Sequence, residues 1–210
     1  MAITVTRTLY QYSELSEDAK ETAKQWWLDA RDETDYEYVI EDFVQTAAKL
    51  GITMKTRPVT LMGGGTRHDP CVWWSLGYCQ SDYAAFDGSY SYAKGGAAAV
   101  KAYAPQDETL HAIADRLQAI QAKNFYGLSA TINHHHYYGL QVETRNDRNE
   151  YGDASEEAES EVKEAMRDLC QWLYRQLVTQ DEYLRSDEQI TEAMGANEYT
   201  FSENGKREDP

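Results

Sequence analysis

Three consecutive histidines, His134, His135 and His136, are the first candidates for chemistry in this chain. They sit between two strand-like runs at 125–133 and 138–146. At a hairpin tip alternate residues project to one side, so His134 and His136 would offer two imidazoles to a metal ion. A catalytic zinc needs a third ligand, and His68 and His111 are remote in sequence, with no HExxH motif to supply one. The competing reading is a solvated turn rich in His and Tyr. A second candidate is the pair Asp82 and Asp87, which brackets Tyr83 and Phe86; paired carboxylates beside aromatics suit glycoside hydrolysis, whereas Asp87-Gly88 also reads as a turn. Cys71, Cys79 and Cys170 have no activating motif beside them and read as free thiols. The glycines at 63–65 lack both GK[ST] and a following helix, so residues 63–70 read as a plain loop.

Carboxylates are the remaining candidate. The chain carries 36 acids against 20 bases, a formal net charge of −16. Residues 13–42 hold eleven acids and three bases, and residues 155–192 hold eleven acids and four bases, so these two segments account for −15. Carboxylates on a rigid helix can imitate the repeated charge of a phosphate backbone, and a protein channel lined with Arg and Lys would bind such a face in a salt-sensitive way. Basic patches for direct nucleic-acid binding are lacking. The expected partner-binding residues are therefore Asp29, Asp32, Glu33, Asp35, Glu37, Glu41 and Asp42, with Glu156, Glu157, Glu159, Glu161 and Glu164 as a second patch.

The elements that must position these groups can be read from periodicity. The stretch 71–96 holds two aromatic-rich runs, 72–78 and 83–92, flanking a polar break at 79–82. Alternation of side-chain character and β-favouring types predict the central antiparallel hairpin of a sheet. Residues 2–12 predict a strand, and Ser16 caps a helix whose face is Ala19, Ala23, Trp26, Trp27 and Ala30. A second helix over 35–50 turns Tyr36, Val39, Ile40, Phe43, Val44, Ala47 and Leu50 inward and ends at Gly51. Residues 52–62 predict an edge strand containing Pro58, and 97–103 a short helix. Helix 106–124 carries the stripe Leu110, Ile113, Ala114, Leu117 and Ile120. Ser155 caps a long helix to about residue 179, Ser186 opens a capping box for a last short helix, and residues 197–201 add a terminal strand. The fold class is α+β: an antiparallel sheet built on the aromatic hairpin and covered by amphipathic helices, as one domain over 1–201 with a polar tail at 202–210.

Composition limits the class further. Sixteen Tyr and five Trp exclude a disordered chain. No run approaches a membrane span, and the N-terminal residues have neither the basic start nor the apolar core of a signal peptide. Three cysteines without CxxC point to a reducing compartment. A cytoplasmic protein with no membrane contact is expected.

Several segments carry a resemblance: YQYSELSEDAKETA (10–23), the hairpin end FDGSYSYAKG, YAPQDETLHAIADRLQAIQ (103–121), FYGLSATINHHHYY (125–138), and WLYRQL with EYLRSDEQITEAMGANEYTFSENG near the C-terminus. Together they cover most of the chain and resemble a family of small acidic phage and prophage proteins, some labelled antitoxin-like. Where those proteins carry an SQGDGA-like turn in the hairpin, this chain has CQSDYAA at 79–85. The resemblance implies a phage-borne gene and, for an acidic protein of this size, an inhibitor of host defence of the anti-CRISPR type. The resulting expectation is a non-enzymatic DNA mimic in the host bacterial cytoplasm. Its partner is the basic nucleic-acid channel of a defence complex, a Cas effector being suspected, and it carries no cofactor. The alternatives are an antitoxin-like protein that neutralises a basic toxin and a metal-dependent enzyme centred on His134 and His136.

Overall fold

The computed structural model describes residues 7–135, 139–149 and 151–209, excepting the side chains of Glu33 and Thr34. It holds α-helices and several antiparallel sheets, an α+β fold. The chain divides into two compact units, Tyr38–Leu177 and a second made from both ends, Met1–Glu37 with Val178–Pro210. The sequence predicts one domain over 1–201 followed by a tail.

In the Tyr38–Leu177 unit, helix α2 (Glu37–Lys49, all but its first residue here) buries Val39, Ile40, Phe43 and Ala47 at helical spacing. It ends at Gly51, whose φ of +87° suits glycine, and where a Cβ would overlap the Ser91 carbonyl oxygen. Strand β2 (Ile52–Met54) follows. The expected long edge strand then breaks at Lys55, whose amide donates to Asp87 O and whose carbonyl accepts from the Cys71 amide. Strands β3 (Thr56–Thr60) and β4 (Thr66–Pro70) pair as a hairpin, with Pro58 opposite His68. The expected loop at 63–70 is therefore half strand. Pro58 costs little there, because the hairpin is two-stranded and every strand in it is an edge.

The aromatic stretch forms the predicted hairpin, β5 (Val72–Ser75) against β6 (Tyr83–Phe86), in the register Val72↔Phe86 and Ser75↔Tyr83. Its second run is not continuous. At Asp87 the chain leaves β5, and β7 (Gly88–Ser91) joins a four-stranded sheet ordered β2-β7-β8-β9, with β8 (Leu128–His135) and β9 (Gly139–Asn146). The turn expected at Asp87-Gly88 is thus a transfer between sheets. Gly88 is required at the crossing, since a Cβ there would press on the Thr53 carbonyl.

Helices α3 (Gly96–Tyr103) and α4 (Glu108–Lys123) follow, α4 capped by Asp107, whose side chain accepts from the Leu110 amide. The buried Gln121 ties α4 to the sheet, donating to Tyr90 Oη and Leu128 O and accepting from the Leu128 amide. Within this unit α5 (Glu156–Leu184) buries Val162, Ala165, Met166, Leu169, Trp172, Leu173 and Leu177. The Trp172 ring lies 6.4 Å from Phe43, which meets Phe86 at 5.3 Å, and its indole N–H donates to Asp107 Oδ2. One aromatic chain thus joins α2, α5 and β6.

The terminal unit is smaller. Of the strand expected over 2–12 only β1 (Tyr10–Gln11) forms among the described residues; 1–6 lie outside them. Ser16 caps α1 (Glu17–Asp29) and Ser186 caps α6 (Asp187–Ala196) through side-chain oxygens. Leu15, Ala19, Ala23, Ile190, Met194 and Phe201 form the core, bordered by Tyr10, Tyr12, Trp26, Trp27, Leu28 and Tyr199. The expected tail carries β11 (Arg207–Glu208), which pairs with β10 (Thr200–Phe201) and completes a sheet ordered β1-β10-β11. Gly205, at φ +79°, passes so close to α1 that a Cβ would overlap the Ala19 carbonyl oxygen.

Candidate functional site

The histidine cluster is a packing feature where it is described. The His134 ring lies 5.0 Å from Tyr83 at 26° and 5.8 Å from Trp73 at 34°, and its amide donates to Asp87 Oδ1 at 2.6 Å. His136 lies outside the described residues. Among the described residues no group of three or more His, Cys, Asp or Glu is arranged to hold a metal ion. Asp82 and Asp87 take separate structural duties. Asp82 accepts from the Gly77 and Cys79 amides and from Ser75 Oγ. Desolvation raises its carboxyl, and these donors outweigh that and hold it below the ordinary carboxylate range. Asp87 is buried beside Lys55 Nζ at 3.7 Å. Burial pushes the Cys170 thiol up to about 12 and raises Cys71 as well, which keeps both protonated and unreactive.

The acidic residues fall into distinct settings. In the terminal unit, Asp29 and Asp32 are exposed, Asp29 accepting from Gln25, and Glu37 is exposed. Asp35 pairs with Arg31 at 3.0 Å. The Glu33 side chain is not described. In the Tyr38–Leu177 unit, Glu41 is exposed, whereas Asp42 accepts a hydrogen bond from Tyr103. Glu156, Glu157 and Glu159 lie exposed in the first turn of α5, where the helix dipole favours negative charge. Glu161 pairs with Lys123 at 2.8 Å, and Glu164, with Asp168, pairs with Arg116. The hydrogen bond to Glu161 is the largest reason that Lys123 stays protonated to higher pH than an ordinary lysine. The later part of the second patch is therefore partly neutralised by α4, a helix distant from it in sequence.

Division by unit sharpens the charge distribution. The terminal unit holds eighteen acids and seven bases, net −11, in 70 residues, and the Tyr38–Leu177 unit eighteen acids and thirteen bases, net −5, in 140. Sequence patterning marks no candidate on α6 or the first turns of α1, yet Glu17, Asp18, Glu21, Glu182, Glu188 and Glu192 are exposed in the terminal unit. Lys24 reaches across from α1 to Asp187 at 2.6 Å, and that hydrogen bond is the main cause of its raised pKa. The signal present in the sequence is composition; what joins the two ends is the shared apolar face of α1 and α6. One acid of this unit is not a surface group: Asp181, 1 % exposed, accepts from Tyr36 Oη and Arg185 Nε, each at 2.6 Å, and lies 3.2 Å from Arg31 Nη2.

No helix among the described residues is long and apolar enough to cross a membrane. Neither the curated proteins nor the solved structures contain a match to this chain. A family model does match it, over residues 36–187, which takes in all of the Tyr38–Leu177 unit and leaves out most of the acidic one. By that match the chain belongs to the family described as a domain of unknown function, DUF8835.

Proposed function

We propose that the protein is a non-enzymatic inhibitor that binds the basic nucleic-acid channel of a host defence complex, of the anti-CRISPR type, and excludes nucleic acid by presenting carboxylates in its place. The observation that carries this reading is the net charge of −11 in the 70-residue terminal unit, with acids exposed on α1 and α6. Carboxylates held on helices present charge at fixed spacing, and association with a cationic channel is then fast and steeply salt-dependent. Glu156, Glu157 and Glu159 are a second set of exposed acids, carried by the Tyr38–Leu177 unit. Asp35, Asp42, Glu161 and Glu164, engaged within the fold, contribute less.

The experiment is affinity capture from host lysate with tagged protein at low and high salt, followed by competition with duplex DNA. Recovery of a DNA-targeting complex, released by salt and by DNA, supports the reading. A variant with Asp29, Asp32, Glu156 and Glu157 reversed to Lys should lose capture while keeping its circular dichroism. Capture unchanged in that variant overturns the mimicry, and recovery of one small basic protein in place of a complex makes the partner a toxin.

A further inference from the structure

We propose that Trp26 and Tyr199 form a cage for an arginine side chain of the cationic partner, and that the chain's own Arg207 occupies that cage until the partner arrives. The inference rests on the proposal that the partner is cationic, and adds the group that is recognised. The Arg207 guanidinium carbon lies 4.5 Å from the Tyr199 ring centroid and 5.2 Å from that of Trp26. The two rings stand at 87° with centroids 5.2 Å apart, two walls of a corner, and Trp27 backs Tyr199 at 6.1 Å. Aromatic faces attract a cation through the ring quadrupole, and the flat guanidinium can also stack, which an ammonium cannot.

Besides the two rings, an ion pair holds the Arg207 side chain, itself 33 % exposed, in the corner. Its ion pair is with Asp209 at 2.9 Å, a side chain 80 % exposed, and such surface pairs contribute little. The strand that carries it is held elsewhere: Thr200 Oγ1 donates to Glu208 O, the Ser202 amide donates to Lys206 O, and Gly205 lies against α1. The side chain can therefore swing out while β11 stays paired. An incoming arginine would find the same two rings and the carboxylate that Arg207 releases, in a unit of net −11. Displacing the internal group should cost the partner roughly tenfold in affinity.

The test titrates octa-arginine and octa-lysine into the full-length protein, reading dissociation constants by calorimetry and the Trp26 indole N–H by NMR. Wild type should prefer octa-arginine. Arg207→Ala should bind it about tenfold more tightly than Lys206→Ala, a variant that removes the same charge one residue away, with the Trp26 indole resonance shifting on binding. Arg207→Lys, which keeps the charge and checks that the fold is undisturbed, should gain an intermediate amount. Equal affinities in Arg207→Ala and Lys206→Ala, or an indole resonance that does not move, overturn the cage while leaving the cationic-partner reading standing. Failure of both peptides to bind at low salt overturns the two together.

Discussion

The two units solve the same folding problem with different resources. The Tyr38–Leu177 unit, which lies wholly within the DUF8835 match, has 140 consecutive residues, a four-stranded sheet and an apolar interior running from Phe43 through Phe86 to Leu177. The terminal unit has 70 residues in two pieces, one sheet of two-residue strands among the described residues and more than twice as much net negative charge. A small unit buries a smaller share of its surface, and like charge works against compaction. It relies instead on clustered aromatic rings around Trp26 and on one buried ionic centre at Asp181. The lesson is that the larger unit rests on a long apolar interior, whereas the smaller one combines a small core with more than twice the net negative charge.

The contrast can be broken most severely at Asp181. Asp181→Ala removes one of two carboxylates from the Arg31 side chain, 10 % exposed, which keeps Asp35 at 3.0 Å, and should destabilise the terminal unit by about 3 kcal/mol, the low end for breaking a buried pair. Hydrogen exchange should then rise in Glu17–Asp29 while Leu128–His135 stays protected; equal loss in both would show the units to be one cooperative body. The matching change in the family unit is Gln121→Ala. It strands the Leu128 amide and carbonyl in the interior and should cost about 1–3 kcal/mol in urea unfolding, with protection lost first in β8.

Alkaline titration sharpens the comparison further. Burial, and then the hydrogen bond to Asp181, raises Tyr36 to about 12, and burial raises Tyr90 to about 12. Each tyrosine keeps its proton in the folded state after the unfolded chain, near 10, has released it. Stability is therefore intact below pH 10 and falls as pH rises from 10 to 12. Tyr36→Phe should lessen that fall for the terminal unit, and Tyr90→Phe for the family unit. The smallest expected effect is Glu192→Lys, on the exposed face of α6. Relief of self-repulsion should raise the terminal unit's stability by a few tenths of a kcal/mol at low salt, and the gain should vanish in 1 M salt.

Much of the fold is legible in the residues alone. The helices announce themselves through caps at Ser16, Asp107 and Ser186 and through stripes such as Leu110–Ile113–Leu117, because capping and amphipathic burial are local. The β5–β6 hairpin is legible for the same reason. Thr66–Pro70 is not: that strand is exposed or half-buried throughout, so no alternation marks it. Nor is the transfer at Asp87, which depends on Lys55 and Cys71 pairing from either side. Residues 202–210 read as a tail because nothing local says that Phe201 and Arg207 will meet α1. The acidic faces are visible in the sequence, but their division is not. Pairing of Glu161 and Glu164 with α4, and the assignment of α1 and α6 to one unit, are set by contacts far apart in sequence.

The joining of Met1–Glu37 to Val178–Pro210 also has a consequence for the order of synthesis. A ribosome working at about 5–20 residues per second delivers the 140 residues between them over roughly ten seconds. During that interval the family unit can fold as its strands emerge, while α1 waits with the rings of Trp26 and Trp27 lacking Ile190, Met194 and Phe201 to cover them. The acids in the opening turns of the same helix, Glu17, Asp18 and Glu21, put charge next to that uncovered apolar face in the nascent chain, in the manner of gatekeeper residues.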